Sequence, residues 1–126
     1  MLAEPEAFDV SMVRKDLLAR LNAHLSASER EGGIVYAVSE LIPRGTSLQF
    51  PHTSLRVTAD ALLAFVDREP LANWGHPCRF LLIDGDTGEI TSLEARFPPF
   101  GSILVGKWEV VSRAPSVPIS AIAIAK

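Results

Sequence analysis

One helical stretch near the amino terminus, followed only by short β-prone runs with no second long helix between them, constrains this chain more than any other feature. Parallel strands need crossover connections of a dozen or more residues, usually helical, so this order disfavours a doubly wound α/β fold. The expectation is an α+β fold, with an N-terminal amphipathic helix packed on a mainly antiparallel sheet of five to six strands.

The helical stretch is "SMVRKDLLARLNAHLSAS", residues 11–28. Val13, Leu17, Leu21 and Leu25 recur at the helical period, Leu18 widens the stripe, and Arg14, Lys15 and Arg20 take the other side. Asp9 or Ser11 is expected to cap its first turn, and "EREGG" to end it. "IVYAVSELI", residues 34–42, reads as a strand between Gly33 and Pro43. "PRGTSLQFPHTS", residues 43–54, has the chemistry of a surface loop bordering a binding face. In "LRVTADALLAFVD", residues 55–67, the apolar residues Leu55, Val57, Ala59, Ala61, Leu63 and Phe65 fall on odd positions, so one strand is expected. A helix capped by Asp60 is the alternative there. "CRFLLID" and "EITSLEARF" flank "GDTG", a hairpin signature. "SILVGKWEVVS" and "SVPISAIAIAK" read as two last strands, which Pro98, Pro99, Pro115 and Pro118 place at an edge or bend around the core.

The 126 residues suit one domain spanning 1–126, large enough for a core without metal or disulfide staples. A formal net charge of -3 provides no field for phosphate backbones, so nucleic acid is not an expected partner. No apolar run is long enough to cross a bilayer, and Glu4, Glu6 and Asp9 stand where a signal peptide is basic and then apolar. A cytoplasmic protein without a membrane partner is expected. The single cysteine cannot form an internal disulfide.

Chemistry concentrates in "ANWGHPCRFLLID", residues 72–84. In extended backbone His76 and Cys78 point to one face, where an imidazole lowers a thiol's pKa. Pro77 between them breaks the ladder, and no cysteine-peptidase signature surrounds them. A metal centre needs more ligands, and His52 with His76, Cys78 and either Asp67 or Glu69 is the available set, without a recognised ligand spacing. His24 flanks the helical stripe. Trp74 and Arg79 suit recognition, one as an apolar face with an N–H donor, the other as a fork for a carboxylate. Their structural alternatives are Trp74 closing one end of the core, Asn73 capping the turn, and Arg79 pairing with Glu89 or Glu94 across the hairpin. "IDGDTGEI" lacks the ligand series of a calcium loop, and P-loop, dinucleotide, nucleophile-elbow and zinc-helix motifs are absent.

The string "FVDREPLANWGHPCRFLLIDGDTGEITSLEARFPP", residues 65–99, resembles a recurrent module of small bacterial accessory domains associated with peptidases and with ribosomal peptide natural-product clusters. Asn73, Trp74, His76, Pro77, Cys78, the Thr87-Gly88-Glu89 turn and Phe97-Pro98-Pro99 carry the resemblance. It implies peptide binding rather than a self-contained catalyst. The expected function is therefore a non-catalytic domain that receives an extended peptide, from a precursor or a peptidase partner, by strand addition. Phe50, His52, Asn73, Trp74, His76 and Arg79 form its expected binding surface, with no cofactor. The alternatives are a small enzyme with a His76/Cys78 thiol or metal centre, and a homo-oligomer paired through edge strands.

Overall fold

In the computed structural model the apolar runs become the middle of a sheet; the structure describes residues 13–50, 53–73, 75–99 and 107–122. Two helices, Arg14–His24 (α1) and Ala27–Gly32 (α2), precede strand Ile34–Val38 (β1). A small hairpin, Ser47–Gln49 (β2) and Ser54–Arg56 (β3), separates it from Ala61–Asp67 (β4). Cys78–Asp84 (β5), Ile90–Ala95 (β6) and Trp108–Arg113 (β7) follow, then a 3-10 turn at Ile119–Ala121. The main sheet has the order β6-β5-β4-β1-β7, and every pairing is antiparallel. The protein is thus α+β with a five-stranded antiparallel sheet.

β1 and β4 are buried along their whole length because both sheet faces are covered. On one face Leu17, Leu21 and Leu25 pack against Val35, Ala37, Leu62, Ala64, Val66, Leu81 and Ile83. On the other, Leu48 and Val57 from the hairpin segment and Ala114, Val117 and Ala121 cover Tyr36, Leu63, Phe65 and Phe80. Each fully buried Leu or Phe contributes roughly 1.5–3 kcal/mol relative to exposure, so this two-sided packing dominates stability.

Several expectations are corrected. Residues 43–54 are not all loop, since Ser47–Gln49 pairs with Ser54–Arg56 as a hairpin. Residues 55–67 are not one strand: Asp60 Oδ1 accepts the Arg44 amide and its carbonyl accepts the Gly85 amide, which turns the chain between β3 and β4. "EREGG" does not end the first helix. Leu25 leaves helical geometry, Ser26 opens α2 with a capping box to Glu29, and Gly33 closes it. Val13 occupies the α1 cap without a side-chain bond, while Asp9 and Ser11 lie outside the described residues. Residues 119–121 form a 3-10 turn rather than a strand, because Pro115 and Pro118 have no amide for a ladder and the Ala121 amide bonds locally to Pro118. The hairpin 78–95 is as expected.

Candidate functional site

Register brings three chain ends together. Asp67 closes β4 opposite Cys78 at the start of β5, and Cys78 is opposite Ala95 at the end of β6. The connection 68–77 and the segment 96–99 therefore share one end of the sheet.

The connection is fastened from within. Asp67 Oδ1 accepts the Glu69 amide at 3.1 Å and lies 2.7 Å from His76 Nε2, while His76 Nδ1 lies 2.8 Å from the Asn73 carbonyl. The His76 and Asp67 side chains are only 6% and 2% exposed. A carboxylate and a carbonyl both accept, so both contacts are hydrogen bonds at once only when the ring is protonated on both nitrogens. Burial disfavours that charge, but the Asn73 carbonyl and the Asp67 carboxylate outweigh it and raise the His76 pKa above its ordinary value. In that doubly protonated form no lone pair is left for a metal or a thiol.

A second fastening joins the connection to the end of β6. The Gly75 amide donates to the Arg96 carbonyl at 3.1 Å, and the Arg96 guanidinium donates back to the Gly75 carbonyl at 2.8 Å. Gly75 has φ +101°, a conformation that favours glycine. Cys78 Sγ faces the Phe97 carbonyl at 3.9 Å. Burial, with the nearby Asp67 charge, pushes the thiol up to about 12, so it is protonated at neutral pH.

On the helix-covered face, Arg79 grips Glu29 with Nε and Nη2 at 2.8 and 2.7 Å. Arg68 donates to the same carboxylate at 2.9 Å and bridges Glu94 with both terminal nitrogens. Arg79 thus pairs with α2 and not with Glu89 or Glu94, because its side chain rises from β5 towards that helix while Arg68 takes Glu94. Its fork is filled and offers no free anion clamp.

Of the other expected site residues, Phe50 packs edge-on against Phe80 with ring centroids 4.9 Å apart, as part of the core's margin. Asn73 is exposed and contributes its carbonyl. His52 and Trp74 lie outside the described residues. Among the described residues no group of three or more His, Cys, Asp or Glu is placed to hold a metal ion. Nor is any helix among them long and apolar enough to cross a membrane.

Sequence reasoning missed Leu71 and Phe97. They are 73% and 58% exposed although they stand on segments tied to the same sheet end. It also missed Glu29, for which the Ser26-x-x-Glu29 spacing was the available signal.

The two sheet edges differ. β7 carries a bulge, since Val35 is opposite Ser112 and Tyr36 opposite Val110, leaving Val111 extra. β6 pairs with β5 in unbroken register from Ile90 to Ala95, and among the described residues no strand pairs with its outer side. Comparison of the chain with protein-family models, curated proteins and solved structures finds no match.

Proposed function

We propose that this protein is a non-catalytic peptide-binding domain that receives an extended partner segment along the outer edge of β6. The observation that carries the reading is the outer side of β6, which no described strand covers and whose register is unbroken, together with the exposed Phe97 two residues past its end and the exposed Leu71 on the fastened connection. Single exposed apolar residues are ordinary, but Leu71 and Phe97 both stand on segments tied by hydrogen bonds to one sheet end. A strand laid antiparallel on β6 gains main-chain hydrogen bonds. Its alternate side chains meet Leu93 and Ala95, both half-buried on β6, with Phe97 on the bend beyond. A buried, protonated thiol and a buried imidazole with a partner at each nitrogen suit a structural role better than nucleophilic chemistry.

The test is selection from a phage-displayed random-peptide library on the immobilised chain. Selected peptides are expected to slow amide exchange in β6 and to lose about tenfold or more in affinity for Phe97→Ala and Leu71→Ala, as for central anchors. Both side chains are exposed, so thermal stability is expected to stay within the small range of surface substitutions. A selection without binders, or binders indifferent to both substitutions, overturns the reading.

A further inference from the structure

The sheet end that carries Leu71 and Phe97 is closed by a bond pattern that exists in full only for one protonation state of one side chain. His76 joins the connection's Asn73 carbonyl to the Asp67 carboxylate at the end of β4, and both of these partners are acceptors. A neutral imidazole has one N–H, so it can serve one acceptor and turns a lone pair on the other. The carboxylate is the stronger acceptor and retains Nε2–H, and the Asn73 carbonyl loses its donor.

We propose that the Asp67–His76–Asn73 clasp is a proton-operated latch on the peptide-receiving end of the sheet: the imidazolium holds the 69–77 connection in its binding form, and release of the Nδ1 proton to solvent slackens it. The latch as a device of the free protein stands on its own geometry, whereas its effect on affinity rests on the peptide-binding reading above. The charged groups that act on His76 are Asp67 at the end of β4 and Glu69 at the start of the connection, while Arg68, Glu94 and Arg96 act on the neighbouring Cys78 of β5. Among these, the Asp67 and Glu69 carboxylates favour the imidazolium. The Cys78 thiol stays neutral through the range in which an imidazole titrates. Because the folded-state pKa is raised, the clasp is complete below the ordinary imidazole value and is lost as pH rises through the folded one.

The experiment follows the His76 ring signals of the wild-type chain by NMR across its titration, together with the protection of the Ala72 and Gly75 amides, normalised at each pH to intrinsic exchange. These amides bond to the Glu69 and Arg96 carbonyls within the latched region. Loss of one hydrogen bond to a charged donor is expected to lower their protection about tenfold or more as His76 deprotonates, with β4 amides unchanged. His76→Gln is expected to show low, pH-independent protection. Protection that stays flat through the His76 titration overturns the latch, and the wild-type measurement decides this even if the variant fails to fold. A phage-selected peptide is then titrated over the same range. Affinity that falls in step supports control of binding, and constant affinity over a loosening connection overturns it. A tracking latch in a chain that selects no peptide upholds the device and sinks only the peptide-binding reading.

Discussion

Glu29 is buried to 2% exposure, and its carboxylate joins the α2 cap to Arg79 on β5 and to Arg68 at the start of the connection. Burial alone raises its pKa, but Arg79, the Ser26 amide and Arg68 together lower it to about 2. The folded value lies below the unfolded one, so its contribution is fully present above about 4.5 and is lost as pH falls towards about 2. Glu29→Ala removes half of the capping box and leaves Arg79 an unpaired, largely buried charge. It is expected to cost about 3 kcal/mol in urea unfolding near neutrality. Glu29→Gln keeps a cap-competent side chain without the charge, and is expected to flatten the acid limb of the stability profile. This residue also marks how far the site was legible. His76 and Arg79 stood out by type; Asp67 stood beside His76 only as a metal-ligand candidate, and Glu29 did not stand out. Arg79's partner is 50 positions away, and only the topology that stacks α2 over β5 brings it near. The His76 clasp was masked by Pro77, which suggested a broken strand rather than a turn folding the imidazole back onto Asp67.

At the scale of elements, local chemistry was readable wherever one segment determined its own geometry. The "GDTG" turn is such a case: Gly88 has φ +77°, and Asp84 Oδ1 accepts the Asp86 and Thr87 amides. Gly85 in the same turn has a different reason to be glycine. A Cβ there would be 2.1 Å from the Asp60 carbonyl oxygen, a backbone atom that cannot swing aside. Gly85→Ala is therefore expected to cost about 1–3 kcal/mol as the β5–β6 turn shifts off the β3–β4 corner, measured as a lower urea midpoint with unchanged slope. The β2–β3 hairpin was hidden because Pro, Gly, Ser and Thr mark both a surface loop and a tight pair of strands. The break before β4 was hidden because Val57 and Ala59 are buried and so preserve the alternation through a corner where no ladder runs.

For the whole molecule, the consequential fact is that β1 and β4 belong to both apolar layers at once. Leu62 packs under α1 and Leu63 under the hairpin and the carboxy-terminal turn, on adjacent positions of one strand. Leu62→Ala and Leu63→Ala are each expected to cost about 2–5 kcal/mol. Circular dichroism and aromatic fluorescence are expected to report one shared transition for both variants, since neither layer persists without the strands they share. The order of helix and β-prone runs foretold the antiparallel class. It did not foretell that β7 would return beside β1, a choice made by long-range packing rather than by any local pattern. That return leaves the sheet with one regular and one irregular margin, and the difference sets a valence. A tile with two equivalent sticky sides polymerises, whereas a tile with one accepts a single neighbour and then stops. Under the edge-binding reading, the bulged Val110–Val111 margin is expected to end any strand-by-strand assembly rather than extend it.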